Sequence, residues 1–159
     1  MARGGHVPSE NGFHIQEAEF AVEASVDPYF YLKGYFVFGL TFFEAEEVYA
    51  ETLGLPGGLK VRLGQTLAPF GRTNPTHPHT WEFVGAPLAS QRFFSGEGLR
   101  SPGVELSWLT PLPFYLKAYA SASLPDVPPP GSSPDEATFG KDQDEDFLYL
   151  GRMATFFPL

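Results

Sequence analysis

The amino-acid sequence predicts an all-β fold, an antiparallel up-and-down meander of about seven strands. Three observations carry that reading. Apolar residues recur with period two along most of the chain. Gly and Pro, at 17 and 16 of 159 residues, interrupt helices wherever they fall. The connections between the alternating runs are unequal, short after some strands and long after others.

The first run, Gln16 to Val26, sets Ala18, Phe20, Val22, Ala24 and Val26 on one face and Glu17, Glu19, Ala21, Glu23 and Ser25 on the other. Asp27-Pro28 reverses the chain, since Pro fixes φ and Asp bonds its own backbone. In the second run Phe30, Leu32, Gly34, Phe36, Phe38 and Leu40 face away from Tyr31, Lys33 and Tyr35. A third strand is expected from about Glu47 to Leu53, with faces that do not separate, after a connection from Thr41 to about Glu46. Leu55–Gly58 turns the chain into a fourth strand, Leu59 to Thr66, in which Leu59, Val61 and Leu63 oppose Lys60, Arg62 and Gly64.

From about Ala68 to Gly103 no period survives, and the density of Pro and Gly predicts a long loop. Val104, Leu106 and Trp108 then alternate with Glu105 and Ser107. After Pro111–Pro113, Phe114, Leu116, Ala118 and Ala120 oppose Tyr115, Lys117, Tyr119 and Ser121. Leu124 to Asp146 is a Pro- and Ser-rich acidic loop, and a last strand covers roughly Phe147 to Phe157. No helix of any length is expected.

Short turns at Asp27-Pro28, Leu55–Gly58 and Pro111–Pro113 fall at one end of such a meander, and the longer connections at the other. That asymmetry belongs to membrane-spanning β-barrels, whose turns are short on one side and whose loops are long on the other. Aromatic residues at 16% of the chain, several flanking the short turns (Tyr29, Phe30, Tyr31, Trp108, Phe114), suit a membrane interface. Mean hydropathy is only −0.12, as expected when every second residue is polar. The expectation is therefore a partial transmembrane β-barrel, with residues 1–159 part of one barrel domain and external loops at about 68–103 and 124–146. An odd count of strands would leave sheet edges unpaired in lipid, so the chain reads as an internal piece of a longer barrel.

Composition excludes several classes. Ten basic residues against nineteen acidic ones give −9, a poor balance for neutralising phosphates, so nucleic acid is not an expected partner. Much of that charge is local, because Leu124–Asp146 carries seven acids and one Lys, 1 − 7 = −6. The absence of Cys removes disulfide scaffolds and thiolate chemistry. No Gly-x-Ser-x-Gly elbow or calcium-loop spacing occurs, and no enzyme activity is expected.

The stretch LKVRLGQTLAPFGRTNPTHPH, Leu59 to His79, resembles the Gly-Gln-Phe-x-x-x-Phe-Gly segment of porin-type outer-membrane barrels of the phosphate-selective porin O and P superfamily. GGHVPSENGFHIQEAEFAVEASVDPYF, GRTNPTHPHTWEFV and GEGLRSPGVELSWLTPLPFYL resemble a group of bacterial proteins often labelled zinc-regulated TonB-dependent outer membrane receptors. The resemblance covers Gly4 to about Ser123 and Phe147–Leu159. It implies an outer-membrane location, a secretory signal upstream and further strands on both sides. No stretch reads as a plug domain.

Candidate residues follow. Glu19, Glu23, Lys33, Lys60, Arg62, Glu105 and Lys117, with Glu17, occupy the polar face and would line a lumen; four acids against four bases give no ion selectivity. Arg72 and Arg92 would line a constriction if the long loop folds inward, although such a loop more often covers the outer mouth. His77 and His79, near His6 if the loops converge, are candidate zinc ligands, since imidazole binds Zn²⁺ and the family label mentions zinc; simple turn roles between Pro75 and Pro78 are the plainer reading. No other cofactor is expected. The expected function is a porin-like channel for passive diffusion or uptake of small solutes or ions, set in outer-membrane lipid and open to homo-oligomerisation. The alternatives are a receptor for zinc or a metal chelate, and a soluble lipocalin-like barrel or β-sandwich binding domain.

Overall fold

The computed structural model describes residues 17–39, 42–77, 80–82, 87–88, 90, 94, 98–124 and 147–156. Seven strands form one antiparallel sheet in chain order: β1 (Ala18–Ser25), β2 (Phe30–Phe38), β3 (Phe43–Thr52), β4 (Leu59–Leu67), β5 (Arg100–Leu109), β6 (Tyr115–Ser123) and β7 (Leu148–Phe156). β1 and β7 are its edges. The meander is the predicted one, because each alternating run became a strand paired to its sequence neighbours.

Turn chemistry sets the joins at one end. Asp27 Oδ1 accepts the backbone N–H groups of Tyr29 and Phe30, each at 2.7 Å, which fixes the β1–β2 reversal. The β3–β4 join contains a single 3-10 turn at Pro56–Gly58, and Trp108 Nε1 donates to Gly57 O at 3.0 Å.

Two strand starts differ from expectation. β3 begins at Phe43 rather than about Glu47, so the predicted longer connection at 41–46 shrinks to residues 39–42. The reason is a β-bulge. Tyr35 faces Glu47 but Phe36 faces Ala45, which leaves Glu46 as the extra residue. Phe43 and Ala45 thus share a face with Val48, Ala50 and Thr52 although the parity of their numbers changes, and this is why the faces of the strand could not be separated. β5 begins at Arg100, not near Val104, since Ser101, Pro102 and Gly103 pair with Thr66, Gln65 and Gly64. The long loop is therefore 68–99, and Leu88, Ser90 and Phe94 within it are helical.

Beyond the bulge β3 and β4 share no ladder pairs, and side chains take over. Gln65 Nε2 donates to Ala45 O at 2.7 Å, and Glu47 accepts from the Leu67 backbone N–H at 2.9 Å. Gly64, at φ +134°, brings β4 so close to β3 that an added Cβ would lie 2.2 Å from Val48 O.

The two faces of the sheet have inverted burial. Phe20, Val22, Leu32, Val48, Leu63, Val104, Leu106 and Trp108 share the apolar face and are exposed. Glu51, Ser101, Glu105, Ser107 and Ser123 share the polar face and are buried. What packs on the polar face is the loop. Ala68, Phe94 and Leu99 form its buried cluster, and Leu148 and Leu150 of β7 pack against it. Those two leucines lie opposite Ser123 and Ser121, on the polar side. The described residues of the loop, Ala68, His77, Phe94 and Leu99 among them, thus pack against the polar side at the long-loop end of the sheet.

Candidate functional site

The polar face carries a belt of paired charges. Lys33 meets Glu23 across β1–β2 at 2.9 Å, and Tyr31 donates its hydroxyl to the same carboxylate at 2.6 Å. Glu51 of β3 receives Lys60 at 2.5 Å and Arg62 at 2.7 Å, both from β4. Arg62 also reaches Glu105 of β5 at 3.6 Å. Three tyrosines interleave: Lys33 lies over Tyr35, Arg62 over Tyr49, and Lys117 and Arg152 over Tyr119, at 4.8 to 5.5 Å from the ring centres. Glu105 has only 5% of its side chain exposed, and its Oε2 has no hydrogen-bond partner among the described residues.

The antiparallel register sorts these charges along the strands. Lys33, Lys60, Arg62 and Lys117 fall toward the short-turn ends, with Glu23 and Glu51 beside them. Glu19, Glu44, Glu46 and Glu47 fall toward the long-loop end, with Arg100 paired to Glu44. The count of four acids against four bases hid that segregation, because a sum carries no position.

Asn74 clips the base of the loop. Its Nδ2 donates to Ala68 O and Leu99 O, both at 2.8 Å, and its Oδ1 accepts the Leu99 N–H at 2.6 Å. Gly98 allows that approach, since a Cβ there would stand 2.6 Å from Asn74 Oδ1. Arg152 adds a 3.4 Å bond to Pro69 O from β7. Asn74→Ala is expected to leave two carbonyls and a buried N–H without this partner, at about 1–3 kcal/mol. The checkable result is at least tenfold faster proteolysis within 68–99, with the strands intact.

His77 forms the second anchor. Its Nδ1 is 2.8 Å from Glu46 Oε2 and its Nε2 is 3.1 Å from Glu47 Oε2. The Tyr35 ring lies 4.5 Å from the imidazole. Hydrogen bonds to Glu46 and then Glu47 push the imidazole up to about 9 against the opposing effect of burial, so the ring is charged at neutral pH. The bulge makes this clamp, because it places two successive glutamates where one ring reaches both. Glu19 of β1 joins them: one ligand atom each from Glu19, Glu46 and His77 lie within 4.8 Å of one another.

Glu19, Glu23, Lys33, Lys60, Arg62, Glu105 and Lys117 therefore share one face, as their alternation predicted. Arg72 is exposed on the loop that folds inward. Arg92, His79 and His6 lie outside the described residues, as does the acidic stretch 125–146. Among the described residues His77 meets Glu46 and Glu47. Glu44, Glu46, Glu47 and Glu51 were missed in the sequence because the bulge scrambles the period of β3. Arg152 was missed because β7 alternates Leu with Tyr and Met on faces that hydropathy does not separate.

Fold and site together define a seven-stranded antiparallel meander with a polar, ion-paired face, one end of which packs against the described residues of a clipped loop. An uncharacterized protein of Aquifex aeolicus (strain VF5) is 45% identical over 117 residues, 71% of this chain and 25% of that protein. The chain thus spans about a quarter of the length of that relative. No family model matches the chain, and no solved structure matches it.

Proposed function

We propose that this chain is part of the wall of a bacterial outer-membrane β-barrel that passes small polar solutes or ions by diffusion. One observation carries the reading: charged and hydroxyl side chains are buried on one face while large apolar side chains stand exposed on the other. A water-soluble sheet sorts its residues the opposite way. A barrel wall needs this order, with lipid against the apolar face and a polar lumen on the other. Edge strands β1 and β7 would pair with further strands of the longer protein, since open edges are not tolerated in lipid.

The inward loop supports the channel form of the proposal. Its described residues crowd the long-loop end of the polar face, where Glu19, Glu44, Glu46 and Glu47 form an acidic rim beside the more basic belt of Lys33, Lys60, Arg62 and Lys117. Solutes would be sorted there by size and charge without a bound cofactor or a chemical step. The partners would be outer-membrane lipid, small solutes and, in an oligomer, further copies.

The experiment is conductance of the full-length protein in planar bilayers. Open channels with ohmic conductance are expected. Silent bilayers from protein shown to be folded would remove the channel reading. Glu51→Gln frees Lys60 and Arg62 from their shared carboxylate and is expected to shift the permeability ratio toward anions by roughly two- to fivefold. Reversal potentials in a salt gradient check it, and an unchanged value would place Glu51 away from the conducting path.

A further inference from the structure

The group around His77 has the donor chemistry of a metal site. Glu19 comes from β1, Glu46 from the bulge of β3 and His77 from the covering loop, three segments far apart in sequence. One ligand atom from each lies within 4.8 Å of the others. Donors at about 2.0–2.2 Å from one ion stand roughly 3.3–4.4 Å from each other, so the group needs only small rotations to close on one. Mixed imidazole and carboxylate donors suit borderline first-row ions such as Zn²⁺, Co²⁺ or Mn²⁺ better than Ca²⁺, which takes a larger, all-oxygen shell.

The outer arrangement fits as well. Metal-ligating imidazoles donate their second ring N–H to a carboxylate, which fixes the tautomer and aims the ligating nitrogen. With Nδ1 beside Glu46, Nε2 stands 3.1 Å from Glu47 Oε2. The Tyr35 ring at 4.5 Å holds the imidazole plane from β2. Glu19 is exposed and Glu46 only partly buried, which leaves a path from solvent.

We propose that Glu19, Glu46 and His77 form a binding site for a first-row divalent cation, with Glu47 orienting the imidazole. The ion takes the place of the proton on Nδ1, so binding releases that proton. Because the three donors sit on β1, β3 and the loop, the ion adds a further tie between His77 and the polar face. The site stands independently of the channel reading, since a sheet in any environment could hold it.

The test uses full-length protein stripped with a chelator, with folding of every variant verified by heat-modifiable gel mobility. Zn²⁺ and Co²⁺ are titrated by calorimetry and by Co²⁺ visible absorption, with Ca²⁺ as the comparison. One Zn²⁺ per chain is expected at this site, with His77→Ala and Glu46→Gln each weakening it at least tenfold. Glu47→Gln should weaken it about tenfold, as an orienting partner does. Arg72→Ala should leave it unchanged. Proteolysis within 68–99 should slow on adding Zn²⁺ to the native protein but not to His77→Ala. Absence of saturable Zn²⁺ binding, or binding equal in native protein, His77→Ala and Glu46→Gln, overturns the proposal. Neither result bears on conductance, so failure of the site and failure of the channel remain distinguishable.

Discussion

Leu106→Arg is expected to destabilise the protein in a bilayer by about 2–4 kcal/mol. Leu106 lies near the middle of β5, between Val61 and Ala120 on the apolar face, and is 42% exposed. In the proposed setting that exposed area faces hydrocarbon, where a guanidinium gives up its hydration. Were the face bathed in water, the same substitution would fall within about 0.5 kcal/mol, as exposed positions usually do. The two environments therefore differ at a single residue by the size of the effect, large in lipid and near zero in water. Ser121→Arg, on the polar face opposite Glu105 and only partly buried, is the companion, and its arginine should be the better tolerated of the two in the bilayer. Urea titration of both variants in lipid vesicles reads the difference.

Gly64→Val carries the second large effect, about 3–5 kcal/mol when backbone strain and overpacking are added. At φ +134° a β-branched residue is strained before packing is considered. Its Cβ would also lie 2.2 Å from Val48 O and 2.8 Å from Tyr49 Cα, both backbone atoms of β3 that move only if the strands part. Gly103, opposite Gly64 on β5, is as confined, with Ala122 O at 2.4 Å. Loss of the folded, heat-modifiable species is the expected readout. Gly151→Ala is the control, because nothing lies within 4 Å of a Cβ there. Near-native behaviour of Gly64→Val would show that β3 and β4 are not so close.

Much of the fold was legible because period-two alternation and turn chemistry are local signals. Ala18 to Ser25 and Phe30 to Phe38 declare their faces residue by residue, and Asp27-Pro28 declares the turn between them. Legibility failed where one residue broke the count. Glu46 inserts a step into β3, and the alternation on either side then points to opposite faces when read as one strand. The start of β5 failed for a related reason: Ser101-Pro102-Gly103 looks like loop chemistry, and only pairing with Thr66, Gln65 and Gly64 makes it strand.

The polar belt was partly legible. Lys33, Lys60, Arg62, Glu105 and Lys117 could be placed on one face from alternation, but their partners could not, since which carboxylate meets which cation depends on register between strands. The inward fold of the loop was illegible for a deeper reason. Asn74 and His77 look like ordinary turn residues, and their roles exist only through Ala68, Leu99, Glu46 and Glu47, which tertiary structure brings to them.

In the proposed setting the apolar face meets lipid and the polar face meets water. Fractionation of cells producing the full-length protein, followed by gels of boiled and unboiled samples, tests it most directly. Protein is expected in the outer-membrane fraction, released only by detergent, and migrating differently before and after boiling. Protein recovered in the soluble fraction without detergent, with one mobility whether boiled or not, would contradict it.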